Sequence, residues 1–301
     1  MLLKTPSWVT IALMLAAAPI AAQQTRPVKI YLSVDMEGLT GVVSADQLGP
    51  AGFEYPKFRE VMTDETTAAI QAARENGATE FVISDSHGNA ENLLIDRLPE
   101  DVTVVRGFPR PYTMMQGLDS SFAAVILIGY HASTSSPVGV RAHTFSSARL
   151  TEVRLNGRPT SEASFAGAFA GRYGVPVIMV SGDDAAVAEA RAALGDIEGA
   201  VVKWNYGYHS ARTLTPAAGR KLIGERVAAA MKRLRSFRPT VVTPPITLDV
   251  HFKSYRPAEV LSYLPIVERT DSHGIRYVGK DMLEAARFIE FVTTYTIELE
   301  P

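Results

Sequence analysis

The sequence contains no cysteine. That absence excludes disulfides, thiolate metal sites and thiol nucleophiles, so any metal must sit on histidine, aspartate or glutamate. No stretch gathers five or six like charges and the formal net charge is only −2 at pH 7. A surface that tracks phosphates is therefore not expected, and nucleic acid is excluded as a partner. No internal repeat or low-complexity tract stands out beyond the first residues. The apolar run Val9 to Ala18, interrupted by Pro19, falls short of the roughly 20 residues that a membrane span needs. What is present is ordinary for a folded chain: 301 residues, 47% of them hydrophobic and 21% charged, enough for one large domain with a small one beside it.

The first 22 residues differ from the rest. Lys4 gives a positive start, Val9 to Ala18 the apolar stretch, and Ile20-Ala21-Ala22 a small-residue exit. This is the pattern of a secretory signal peptide over residues 1–22. It predicts an exported protein, periplasmic or secreted, with no stable membrane insertion once the segment is removed.

Short β-branched and apolar runs at Val28 to Val34, Glu80 to Ser84, Ala123 to Ile128 and Val175 to Val180 read as buried strands. Between and after them, Lys57 to Glu75, Glu162 to Tyr173, Ala185 to Leu194 and Pro216 to Leu234 have helical patterns, and Gly77 and Gly174 stand where helix C-caps want positive φ. Strands alternating with helices predict a three-layer α/β/α fold around a mostly parallel sheet, over residues 27–236. After Pro239, Pro244 and Pro245 come a strand at Ile246 to Phe252, a helix from Pro257 and a last helix from Asp281 to Thr293. Residues 237–301 are accordingly expected to form a smaller α+β subdomain.

The polar residues fall at informative places. Asp35 and Glu37 directly follow the first strand, Asp85-Ser86-His87 follows the second, and Gly129-Tyr130-His131 follows the third. In an open parallel sheet the carboxyl ends of the strands face one crevice, so these residues converge although distant in sequence. Gly38, Gly88 and Gly129 beside them permit tight turns. Each residue alone has a plainer reading as a turn, a cap or a solvated side chain. Jointly they say more: of only six histidines, His87, His131 and His143 cluster at or just after strand ends. Mixed His and carboxylate donors without Cys are what zinc, manganese or cobalt sites use.

Five blocks in order resemble the DppA-type zinc-dependent D-aminopeptidase family: Ser33-Val34-Asp35-Met36-Glu37-Gly38, Ser84-Asp85-Ser86-His87, Gly129-Tyr130-His131-Ala132, Gly182-Asp183-Asp184 and Lys280-Asp281-Met282-Leu283-Glu284-Ala285. The resemblance spans roughly residues 28 to 297. It implies two divalent metal ions, zinc, with Asp35 bridging them, Glu37 and His87 completing one site, and His131 and Glu162 the other. His143 falls on the family's additional catalytic histidine. It also implies release of N-terminal D-amino acids from short peptides by metal-activated water, and ring-like homo-oligomers. Handedness is not encoded in the residue chemistry. Two alternatives remain at this point: a dinuclear hydrolase of another amide or ester, and a non-catalytic exported peptide-binding protein. Asp183 and Asp184 read as a helix cap, Lys280 to Ala285 as a helix start, and His209, His251 and His273 as surface or packing residues.

Overall fold

The computed structural model describes residues 1–2 and 27–295. The expected signal segment lies, but for its first two residues, outside them. The strands in chain order are β1 (Lys29–Val34), β2 (Glu80–Asp85), β3 (Val102–Val105), β4 (Ala124–Tyr130), β5 (Leu150–Leu155), β6 (Arg158–Pro159), β7 (Val177–Asp183), β8 (Glu198–Gly207), β9 (Ser210–Thr213), β10 (Ile246–Phe252), β11 (Val267–Arg269) and β12 (Gly274–Gly279). The α-helices are α1 (Tyr55–Glu75), α2 (Glu162–Arg172), α3 (Asp184–Leu194), α4 (Pro216–Lys232), α5 (Tyr255–Leu261) and α6 (Met282–Thr294).

Seven strands form one sheet in the order β3-β2-β1-β4-β7-β8-β9. All neighbours are parallel except the edge pair β8 and β9. This is the expected α/β/α fold. β4 and β7 are buried along their whole length and β1 along all but its first residue, because a parallel sheet is covered on both faces and each strand can be apolar throughout. From β1 the chain moves one way to β2; from β4 it moves the other way through β7 to β8. Right-handed crossovers therefore put the connecting helices on opposite faces. α1 and α4 pack together over one face, and α2 and α3 pack together over the other.

The helix boundaries have local causes. α1 carries Pro56 in its first turn, where no N–H is required, and Gly77 follows its end at φ +100°. Ser161 caps α2 by accepting from Ser164 N–H, and Gly174 follows that helix at φ +74°. Asp183 caps α3 and Asp281 caps α6, each through its own side chain. These aspartates therefore do the capping work that their positions suggested.

A second, antiparallel sheet has the order β11-β12-β10-β5-β6. Its two members β5 and β6, residues 150–159, come from the middle of the chain, so the two sheets interleave across the division expected at residues 236 and 237. α6 packs on β10 and β12 with one side and on α2 with another, which ties the second sheet to the first. Among the described residues, no helix is long and apolar enough to cross a membrane.

The order of the first sheet fixes where a ligand can sit. β1 and β4 are neighbours, and the chain leaves them in opposite directions. A crevice opens beyond the carboxyl ends of two such strands.

Candidate metal centre

At that switch point β1 ends in Val34 and β4 in Tyr130, and the loops beyond them are pressed together. Gly38 N–H donates to the Gly129 carbonyl at 2.7 Å, and Asp35 N–H donates to the Ile128 carbonyl at 2.8 Å. Two glycines make this approach possible. A Cβ on Gly38 would run into the backbone of Gly129 and Tyr130; one on Gly129, which sits at φ +72°, would run into the Asp35 carbonyl. The contact brings Asp35 and Glu37 from one strand end against His131 from the other.

The structure gathers all six residues singled out in the sequence. His87 Nδ1 lies 3.1 Å from Asp35 Oδ1 and 2.8 Å from Glu37 Oε2. His131 Nε2 lies 3.3 Å from Asp35 Oδ2 and 3.4 Å from Glu162 Oε1. His143 Nε2 is 3.8 Å from the same Glu162 oxygen, and its ring stacks on that of His131 with centroids 4.0 Å apart and 9° between planes. Glu162 is the first residue of α2 and its Oε1 accepts from Phe145 N–H at 2.7 Å.

Each imidazole is aimed by its rear nitrogen. His87 Nε2 is 2.7 Å from the Leu48 carbonyl, His131 Nδ1 is 3.0 Å from that of Ala132, and His143 Nδ1 is 2.8 Å from that of Arg141. A carbonyl only accepts, so these nitrogens carry the hydrogen. The opposite nitrogens, when neutral, present lone pairs to the carboxylates. Metal-ligating histidines are held in this way.

The donor set fits divalent metal. Asp35 Oδ2, Glu37 Oε2 and His131 Nε2 are buried without a hydrogen-bond partner, an arrangement that costs about 1–3 kcal/mol per group unless something else satisfies it. Donor atoms of Asp35, Glu37 and His131 lie within 4.8 Å of one another, and so do those of His131, His143 and Glu162. Carboxylate oxygens with imidazole nitrogens and no sulfur suit zinc. His143, expected near the metals, is itself within reach of a ligand position.

Charge within the cluster follows the same geometry. Burial raises the pKa of Asp35, and the Glu37 charge raises it further. Burial also works against ionisation of Glu37 and Glu162, but the charges of His87 and His131 respectively overcome it and hold both carboxylates low. Conversely, burial disfavours protonation of His87 and His131, yet Glu37 and Glu162 hold both well above the ordinary imidazole range. His143 is depressed, by burial and then by the charge of His131 against its face.

Two contributors, Lys203 and Arg110, were not legible in the sequence. Lys203, in the middle of β8, is fully buried and its Nζ donates to the carbonyls of Glu37, Leu39 and Val42. Arg110 donates to Ser84 Oγ and to the Asp85 carbonyl, bracing the end of β2 from which His87 projects. Asp85 and Asn92 form a loop clamp: Asp85 accepts from Asn92 and Leu93 N–H, and Asn92 Nδ2 donates to the His87 carbonyl. Of the remaining histidines, His251 pairs with Asp271 at 2.9 Å and His273 bonds Ser272, away from the centre. His209 stands edge-on to the Tyr208 ring, and Tyr208 accepts through its carbonyl from Arg141 N–H, which places the aromatic loop beside the His143 segment.

A cavity of about 480 Å³ opens on the cluster, walled by Phe108, Met114 and Phe145 and by the α6 residues Glu290, Thr293 and Thr294. Its size is in the range for small organic ligands.

Comparisons with known proteins show the family. A family described as D-aminopeptidase matches residues 28–291. A D-aminopeptidase of Bacillus subtilis (strain 168) is 34% identical over 263 residues, covering 85% of this chain and 93% of the relative. Among solved structures, the chain is similar to the Zn-dependent D-aminopeptidase DppA from Bacillus subtilis, described as a self-compartmentalizing protease. There the TM-score is 0.85 at 31% identity, covering 90% of this chain and 99% of the other.

Proposed function

The chain belongs to the D-aminopeptidase family, and from that premise we propose that it is an exported, dinuclear zinc enzyme that releases N-terminal D-amino acids from short peptides. The observation that carries the two-metal reading is the division of Asp35: its Oδ1 faces His87 and its Oδ2 faces His131. A carboxylate so placed would offer one oxygen to each of two positions. Glu37 and His87 would complete one, and His131 and Glu162 the other.

Two such ions, when bound, would supply Lewis acidity for a scissile carbonyl and for water at the site. The chain's own groups do the rest. His143 keeps its Nδ1–H on the Arg141 carbonyl and turns Nε2 to the cluster, and its depressed pKa leaves it neutral near pH 7. It is placed to take a proton from the attacking water and deliver it to the amine as the C–N bond breaks. Phe108, Met114 and Phe145 line the cavity and restrict water around the peptide end. The cavity volume suits a short peptide terminus.

Two further features support the wider reading. The Lys4 to Ala22 pattern supports export, and mass spectrometry of the N-terminus after expression in a secreting host tests it. The self-compartmentalizing relative and the exposed apolar residues Tyr255, Val260, Tyr263 and Ile266 support self-association, which sedimentation measures.

The deciding experiment compares hydrolysis of the p-nitroanilides of D-alanine and L-alanine by the mature protein. It is run after metal removal and again after restoring zinc, manganese or cobalt, beside an Asp35→Ala control. Metal-dependent release from the D-substrate, lost in the control, is the expected result. Bound metal with neither substrate cleaved would sink the stereospecific aminopeptidase reading.

A further inference from the structure

An aminopeptidase must recognise a free amino terminus, and the six residues of the metal cluster leave that task unassigned. One acidic group on the cavity wall lies outside the cluster. Glu290 stands on α6, is 8% exposed, and lines the same cavity as Asp35, Glu37, His87 and Glu162. Its two oxygens are not equivalent. Oε1 accepts from Arg110 N–H at 3.1 Å and from Thr294 Oγ1 at 3.1 Å, which fixes the side chain. Oε2 accepts no hydrogen bond among the described residues, and it is not among the sealed buried atoms that lack a partner. It is therefore the end of the group left open, on the side where the cavity is.

The charge balance points the same way. Among the described residues, no Lys, Arg or His makes an ion pair with Glu290 within 4 Å. The nearby Arg110 guanidinium is spent on Thr113, Ser84 and Asp85 oxygens. Burial accordingly holds the Glu290 carboxyl above its ordinary range despite Arg110. A buried carboxylate with one anchored oxygen, one open oxygen and no cation is a receptor for an ammonium group.

We propose that Glu290 receives the free α-ammonium of the substrate, through Oε2, and so sets the requirement for an unblocked amino terminus. This rests on the peptidase reading of the cavity. An ammonium brought there gains a charge-assisted bond that a blocked or deaminated substrate cannot make. The anchoring by Arg110 N–H and Thr294 keeps the acceptor in place before the substrate arrives, so little ordering is required at binding.

The test uses the zinc-loaded full chain and Glu290→Gln, which keeps an acceptor for Arg110 N–H and Thr294 but removes the charge. Thermal melting and zinc content are measured first. The substrates are D-alanine p-nitroanilide and its deaminated analogue, propionyl p-nitroanilide. Glu290→Gln is expected to raise KM for the amino substrate by about 10- to 100-fold, the range of a charge-assisted hydrogen bond, with kcat little changed. It should leave the deaminated substrate as it was, so the preference between the two collapses. An unchanged KM, or an equal loss on both substrates, overturns the proposal. If the parent protein cleaves neither substrate, the peptidase reading fails separately. Calorimetric binding of D-alaninamide against propionamide then decides: Glu290→Gln must weaken the first alone. Should the Gln variant not fold, Glu290→Asp, which withdraws the charge by one methylene, must raise the same KM.

Discussion

Lys203 holds Glu37 by the main chain and not by charge: its ammonium donates to the Glu37 carbonyl, while no ion pair forms with the Glu37 carboxylate. The same nitrogen reaches the Leu39 carbonyl at 3.1 Å and the Val42 carbonyl at 2.7 Å. One buried cation thus shapes the whole turn after β1 and leaves the Glu37 side chain free to face the cluster. Lys203→Met preserves length and removes the donors, stranding the Glu37 and Val42 carbonyls, while that of Leu39 keeps Val42 N–H at 3.3 Å. At about 1–3 kcal/mol for each unsatisfied group, the urea midpoint should fall by an amount equivalent to about 2 kcal/mol or more. Zinc affinity should fall with it, and a variant with native stability and native zinc binding would refute this role.

Gly129 is where the two strand-end loops touch. At φ +72°, a Cβ there meets the Asp35 carbonyl and Leu39 Cδ2. Gly129→Ala is expected to cost about 2 kcal/mol or more, from the left-handed backbone and the collision together. Denaturant unfolding reads this directly. An unchanged midpoint would mean that the β4 loop relaxes without loss.

Loading with metal should release protons. His87 and His131 are held well above the ordinary imidazole range by Glu37 and Glu162, which favours the protonated rings in the metal-free protein. An ion needs the neutral rings, and affinity should therefore fall as pH is lowered through neutrality. Calorimetric zinc titration near pH 7 in buffers of different ionisation enthalpy should show net proton release on loading. Heats that do not depend on the buffer would contradict this.

Glu65, fully buried on α1, accepts from Thr40 N–H at 3.1 Å, and burial raises its pKa to about 7. A folded pKa above the unfolded one means that the native chain binds the extra proton. The stabilisation is complete below the unfolded value, near 4.5, and is lost as pH rises through about 7. Glu65→Gln, which cannot ionise, should melt close to the parent at pH 5 and above it at pH 8, by a difference on the order of 3 kcal/mol. A melting difference that is the same at both pH values would rule out this assignment.

Much of this was legible in the residues. β1, β2, β4 and β7 announce themselves because strands buried on both faces read as largely apolar runs, and β10 by its alternation of apolar and polar residues. α1 to α4 show their helical period, and α1 and α2 their glycine stops. β5 (Leu-Thr-Glu-Val-Arg-Leu), β9 and β11 do not, since they are half-exposed and carry charges on the open face. Their place in a sheet comes from partners distant in sequence. At the centre, Asp35, Glu37, His87 and His131 were visible because they sit just past strands. Glu162 was visible only through the family resemblance, for on its own it looks like an acidic residue in the first turn of a capped helix. Lys203 and Glu290 gave no signal at all: one is a lysine in a strand and the other a glutamate in a helix, and only burial reveals that neither faces water.

The rear anchors of the three imidazoles have a different kind of consequence. Leu48, Ala132 and Arg141 contribute carbonyl oxygens, which every amino acid possesses. Their side chains can be exchanged without disturbing which nitrogen of each ring carries the hydrogen. Tautomer control is stored in the route that the backbone takes, and it is indifferent to the letters along that route. Exchanging the half-exposed Leu48 or Arg141 should thus leave the tautomers in place, although the buried Ala132 has no room for a larger side chain; shortening the 45–48 turn or the 139–145 loop by a single residue should turn a ring and disable the centre.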